Sequence, residues 1–203
     1  APFMFIPIRG GFGIAPMNVG QVYFHSNQYA NHAAVNYFWN LGNSLINIES
    51  LENPYVTMDT TRADSLVREL YRHTCSPPRL LKVPNPNILL IILESFTAKV
   101  IQPLGGLDSV TPHLNQLTHE GILFSNFYAS GERSEKAMVA IFGGFPAQPQ
   151  KSIIIYPAKT MNLPGIGQIL KQYGYHLQFY YGGNIDFASM RSYFNMNGFD
   201  IMI

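Results

Sequence analysis

The chain has 203 residues, of which 12% are charged, and carries a formal net charge of +1. That length holds one or two domains with a sizeable core, and the near-neutral balance offers no basic field for nucleic acid or an anionic membrane surface. Small anionic substrates stay open, because one metal ion can supply positive field locally.

Cys75 is the single cysteine, so no intrachain disulfide can form. The start lacks a leader with a basic front, an apolar middle and a small-residue cleavage site. No stretch reaches the ~18–20 apolar residues of a membrane helix. Ala1 to Ile8 is apolar and meets Arg9 at once, which reads as the last turns of a membrane segment or equally as a buried strand. Arg9-Gly-Gly-Phe-Gly13 reads as a turn or loop. Ala30, Ala34, Tyr37, Phe38, Leu41 and Leu45 recur at helical spacing and predict a helix from Gln28 to about Leu51. Leu66, Leu70 and Tyr71 predict a second from Thr61 to His73. Pro77, Pro78, Pro84 and Pro86 make residues 74–86 a linker that cannot be regular helix.

From Asn87 the texture changes to alternating strands and helices. Ile88–Leu93 is an unbroken apolar run, the pattern of a strand buried on both faces. Thr111 to Gly121 reads as a helix capped by Thr111, opened by Pro112 and closed by Gly121. Ile122 to Tyr128 is a predicted strand, and Ser134 to Phe142 a helix that Ser134 itself can cap. A further helix is expected from Pro164 to Tyr173, stopped by Gly174, then a strand from His176 to Tyr181 and a helix capped by Asp186 and ending near Gly198. Such alternation implies an α/β fold, a mainly parallel sheet with helices on both faces. Two units are expected: residues 1–86 as a helical arm and Pro-rich linker, and 87–203 as an α/β domain.

Active sites of open α/β sheets gather beyond the carboxyl ends of the strands. Glu94 follows the predicted strand Ile88–Leu93, and Ser134 begins a helix after the strand Ile122–Tyr128. A hydroxyl at a helix start sits in the field of unpaired backbone N–H groups, which suits a phosphate or sulfate group. Beside a metal held by a strand-end carboxylate it makes a workable nucleophile, because the ion lowers its pKa and neutralises the transferring group. Each residue alone has a plainer reading, a solvated carboxylate and an ordinary N-cap.

The longer string supports the joint reading. Asn87-Ile-Leu-Leu-Ile-Ile-Leu-Glu-Ser95, Thr111-Pro-His-Leu-Asn-Gln-Leu117, Gly121-Ile-Leu-Phe-Ser-Asn-Phe-Tyr-Ala-Ser-Gly-Glu-Arg-Ser134 and Phe142-Gly-Gly-Phe-Pro-Ala147 together resemble the opening of a sulfatase-type domain of the alkaline phosphatase superfamily. They most resemble its lipoteichoic acid synthase-like, or phosphoglycerol transferase, branch. Residues 87–203 carry the resemblance, and Arg9 to about Arg72 resembles the juxtamembrane helical region of that branch. The resemblance implies Glu94 as a metal ligand, Ser134 as nucleophile and second ligand, and a divalent cofactor, Mn²⁺, Zn²⁺ or Mg²⁺. Many members of the branch place Thr at the nucleophile position, a change that keeps the hydroxyl.

The implied parent is a metal-dependent phosphoryl or phosphoglycerol-type transferase. It would act on phosphorylated or sulfated lipids or glycans of the cell envelope, anchored in the membrane through a missing N-terminal region and facing outside the cytoplasm. The alternatives are a sulfate or phosphate ester hydrolase on the same scaffold, and a non-catalytic binding or structural fragment. In lipoteichoic acid synthases the stretch matching Tyr180-Tyr-Gly-Gly-Asn-Ile-Asp-Phe187 supplies His, Trp and Arg contacts to the headgroup. Here Tyr181 and Ala188 stand near the His and Trp positions, leaving Tyr181 and Arg191 as candidate substrate contacts. Cys75-Ser-Pro-Pro-Arg79 matches the pattern whose Cys becomes formylglycine in true sulfatases, but it precedes the first metal-binding strand. At the nucleophile helix the chain reads Ser134-Glu-Lys-Ala-Met138, without the Pro and Arg of that signature, so formylglycine chemistry is not expected. The family completes its metal site with a downstream Asp-His pair and further His residues that this chain lacks. The reading is therefore of a truncated domain with weak metal affinity, inactive alone.

Overall fold

The computed structural model describes residues 12, 18–25, 27–46, 56–72 and 80–202. The apolar start, most of the Arg9–Gly13 turn, the 47–51 end of the first predicted helix, His73 and the Cys75–Arg79 pattern lie outside the described residues. Two compact units form, one from residues up to Tyr37 together with those from Glu94 onward, the other from Phe38–Leu93.

In the first unit a 3-10 turn, Val19–Val22, is capped by Asn18, whose side chain accepts from the Gly20 N–H. Helix α1, Gln28–Ala34, follows with Asn27 as its cap. The long helix expected from Gln28 breaks at Val35, which is extended, and resumes as α2, Tyr37–Ile46. Val35 and Asn36 are both modest helix formers, and together they interrupt the pattern where its apolar spacing runs on.

All of α2 after Tyr37 belongs to the second unit. There α3, Thr60–Leu70, is capped by Asp59, whose carboxylate accepts from the Arg62 N–H at 2.9 Å. Ile88–Leu93 is neither strand nor buried: Leu89 is 85% exposed and Ile91 68%. That corrects the expected strand. Apolar runs report a tendency to be buried, but a parallel strand forms only against another strand, and residues 88–93 pair with none among the described residues. No described helix is long and apolar enough to cross a membrane.

The rest of the first unit holds the α/β core. Helix α4, Pro112–Glu120, starts at Pro112 as expected, but Thr111 does not cap it; its hydroxyl donates to the Val100 carbonyl at 2.7 Å. The expected strand Ile122–Tyr128 is irregular and exposed, again without a partner strand. Helix α5, Ser134–Gly143, ends at Gly144, whose φ of 63° is the left-handed cap that glycine adopts without cost. Short helices α6, Pro157–Thr160, and α7, Ile166–Gln172, lead to strand β1, Gln178–Tyr180. Helix α8, Met190–Met196, connects it to β2, Asp200–Met202, and the strands pair in parallel with Phe179 opposite Ile201. This is a βαβ crossover, the unit of the expected parallel sheet. β2 was not anticipated, although Asp200-Ile-Met-Ile203 after Gly198 carries a short β-prone apolar run.

The core lies where α5 and α8 meet the sheet. Met138, Val139 and Phe142 from α5 join Ile154, Ile185 and the α8 residues Met190, Tyr193 and Phe194. Phe194 stacks on Phe179 at 3.7 Å between ring centroids and meets Phe142 edge-on at 5.0 Å. Because Phe142 and Ser134 share α5, this cluster anchors the helix that carries the hydroxyl.

One buried hydroxyl is left unsatisfied among the described residues. The Tyr193 hydroxyl has no hydrogen-bond partner among the described residues, and burial pushes its pKa up to about 12. A raised acid pKa means the fold holds a proton that the unfolded chain releases, so Tyr193's contribution is complete below about pH 10. It is lost as the pH climbs toward about 12. Tyr193→Phe is expected to raise stability by about 1 kcal/mol at neutral pH and to flatten the alkaline loss, as read from urea unfolding at pH 7 and above pH 10.

Candidate active site

Ser134 is the first residue of α5, with Arg133, not Ser134, in the capping position. The expected capping role is therefore corrected: the Ser134 hydroxyl donates to Glu94 Oε1 at 2.8 Å instead. The two residues are forty apart in sequence, and both belong to the first unit. Directly after Glu94, Ser95 has a φ of 53°, an uncommon conformation for a non-glycine residue and one that gathers at functional sites. Glu94 is exposed and Ser134 half-buried, so an ester group in solvent can reach the pair. The first N–H groups of α5 add positive potential beside the hydroxyl.

The pair fits part of a divalent cation site. Its 2.8 Å oxygen–oxygen separation is close to the ~2.9 Å edge of an octahedron with metal–oxygen bonds of about 2.0–2.1 Å. Both donors are hard oxygens, the kind that Mg²⁺ and Mn²⁺ prefer. Among the described residues no group of three or more His, Cys, Asp or Glu gathers to complete such a shell.

The other two candidates make their contacts elsewhere. Arg191 Nε donates to Asp186 Oδ1 at 2.5 Å and Nη2 to Oδ2 at 3.4 Å, so its guanidinium is already engaged. Asp186 was expected to cap the following helix, but it makes no cap bond and spends its carboxylate on Arg191. Between them, Ala188 and Ser189 both sit in the left-handed region, turning the chain so that the two charges meet. Tyr181 stacks at 6.2 Å on Phe179 and packs against the core. Neither Tyr181 nor Arg191 bonds Glu94 or Ser134.

Charged groups frame α5's start. Arg133 pairs with Glu135 at 3.5 Å, and the ammonium of Lys136 meets Glu132 Oε1 at 3.0 Å. A backbone N–H and then Lys136 hold the Glu132 carboxyl below the usual range. The burial of Lys136 was not anticipated, although Glu132 and Lys136 stand four apart with opposite charge, the spacing of a pair.

The α/β core with a parallel crossover defines a class, since 73% of the chain superposes on a crystal structure of an alkaline phosphatase superfamily protein from Vibrio parahaemolyticus, with a TM-score of 0.62 and 32% identity. The fold is that superfamily's. Residues 86–203 match the family model described as Sulfatase, and the chain belongs to the sulfatase family. It is 26% identical over 113 residues, 53% of its length, to a Delta 4,5-hexuronate-2-O-sulfatase of Bacteroides thetaiotaomicron. It is 38% identical over 65 residues, 32% of its length, to an ulvan-active sulfatase of Formosa agariphila. The chain spans 23% and 11% of those two relatives and 39% of the solved chain.

Proposed function

We propose that the protein containing this chain is a metal-dependent enzyme that transfers the phosphoryl group of a phosphate ester, with Ser134 as nucleophile. The observation that carries the reading is the 2.8 Å contact from the Ser134 hydroxyl to Glu94 Oε1 at the start of a helix. Glu94 and Ser134 are the residues of this chain that would hold the divalent ion, which when bound lowers the hydroxyl's pKa and neutralises the transferring group.

Glu94 Oε1 orients the hydroxyl, whose proton passes to solvent as an oxygen lone pair of Ser134 attacks. The bond from Ser134 Oγ to phosphorus forms as the ester P–O bond breaks, and the leaving oxygen departs with its electron pair and takes a proton from solvent. The helix N-terminus faces the equatorial oxygens with partial positive charge. An acceptor hydroxyl or water then takes the group from Ser134. A transferase acting on envelope phospholipids or glycans, membrane-anchored and extracytoplasmic, is the form that agrees with the branch resemblance of residues 87–203. Arg191 and Tyr181 remain the candidates of this chain for the substrate's outer parts.

A second reading, sulfate ester hydrolysis, is favoured by the relatives, both named as sulfatases. Against it stands the Ser134-Glu-Lys-Ala-Met138 string, which lacks the formylglycine signature. Matched aryl phosphate and aryl sulfate assays on the full-length protein separate the two. Phosphate turnover should exceed sulfate turnover by about tenfold or more, a gap of about 1.4 kcal/mol in barrier; the reverse order establishes the sulfatase reading. Glu94→Gln keeps the shape and removes the charge. It should lower turnover on the order of 10²–10³-fold and reduce bound metal by elemental analysis, and unchanged metal content would remove Glu94 from the site.

A further inference from the structure

Lys136 sits two residues beyond the proposed nucleophile, in the first turn of α5, and is only 3% exposed. Both features work against it. The positive end of a helix disfavours a cation, and taking an ammonium out of water is costly unless its partners are good. Its partners are Glu132 Oε1 at 3.0 Å, on a side chain itself 74% exposed, and the Pro149 carbonyl at 3.3 Å. An apolar side chain of the same length would pack here at less cost. What the ammonium does that methionine cannot is tie two loops together. Glu132 lies just before Ser134 and Pro149 lies beyond the far end of α5, so one charge clamps the chain on both sides of the helix. The lysine stem also backs the turn before Ser134: a Cβ at Gly131 would come within 3.3 Å of Lys136 Cδ and 2.6 Å of Ala147 Cβ.

We infer that Lys136 is a positioning residue for the reaction: by clamping Glu132 and Pro149 it holds the 131–133 turn so that the Ser134 hydroxyl stays aimed at Glu94. The inference rests on the reading of Ser134 as nucleophile. It separates activity from stability, since removing a buried charge need not weaken the fold, whereas a small misplacement of a nucleophile costs up to about 10²-fold in rate.

The test uses full-length protein with an aryl phosphate as probe. Lys136→Met should lower kcat by about 30-fold with KM changed less than about threefold, while melting no lower than the parent. Hydrogen exchange at residues 131–135 should quicken. Lys136→Arg should recover part of kcat, since a guanidinium keeps the charge and a donor for Glu132. Glu132→Gln, at an exposed position that leaves folding intact, should lower kcat in the same direction and add little to Lys136→Met, as members of one clamp do. A Lys136→Met kcat within about twofold of the parent, or a loss that only tracks lost folded protein, overturns the inference. If Lys136→Met does not fold, an unchanged kcat in Glu132→Gln overturns it. Undiminished turnover in Ser134→Ala would sink the nucleophile reading and this inference with it, whereas a dead Ser134→Ala beside a fully active Lys136→Met defeats the inference alone.

Discussion

Replacing Ser134 with alanine in the full-length protein is expected to abolish turnover, a loss of about 10⁴-fold or more, because the proposed covalent intermediate forms on its hydroxyl. The fold should stay intact. Among the described residues Ser134 makes no side-chain capping bond, and its hydroxyl donates to the exposed Glu94 carboxylate. Losing a solvent-accessible contact of that kind costs within about 0.5 kcal/mol, so thermal melts of the two proteins should overlay. Ser134→Thr keeps the oxygen and adds a methyl group that the first turn of a helix accommodates. It should retain turnover within about tenfold of the parent, a barrier change of no more than about 1.4 kcal/mol. That contrast ties the loss to the hydroxyl itself: equal activity in Ser134→Ala and the parent removes Ser134 from the chemistry.

The second large effect falls on the core. Phe194 is fully buried, stacked on Phe179 and edge-on to Phe142, Tyr193 and Phe199. Truncating it to alanine deletes the ring that joins α8, β1 and α5, and should cost about 3–5 kcal/mol. Urea unfolding measures it as a lower midpoint with little change in slope. Since α5 carries Ser134 and leans on this cluster through Phe142, partial loss of activity at warmer assay temperatures should accompany it. Ile141 on the same helix is 42% exposed, and its change to alanine should cost less than about 1 kcal/mol. A cost below about 1 kcal/mol for Phe194→Ala would mean that the core is not organised around that ring.

The contact between the two candidate site residues and part of the sheet lie beyond what the residues display, while most helix ends do not. Ser134 stands out in the sequence because it opens a helix after a short loop, and Glu94 because a carboxylate closes a long apolar run. Their contact across forty residues is a tertiary fact. The helix boundaries at Pro112, Gly144, Gly174 and Gly198 are set by local backbone chemistry, which a sequence displays directly. Strands are different. The run Ile88–Leu93 shows a wish to be buried, but pairing depends on what lies alongside, and no pattern within six residues encodes that. The same limit explains why β2 was missed while its partner β1 was expected. Arg191 read as an available cation, and its pairing with Asp186 is a contact that the sequence does not display. The left-handed pair Ala188 and Ser189, which turns the chain between them, has no glycine to announce it. The burial of Lys136 has no mark in the sequence beyond the opposite charge of Glu132 four residues earlier, since lysine is almost never fully buried unless paired.

Glu94 and Ser134 are proposed to share one cation. A crystal structure of the full-length protein grown with Mn²⁺, with anomalous data collected, tests it most directly. An ion is expected with an oxygen of Glu94 and Oγ of Ser134 both within about 2.6 Å of it. An ion bound beyond about 5 Å from either oxygen, well outside any coordination distance, with the two side chains still joined only to each other, would contradict it.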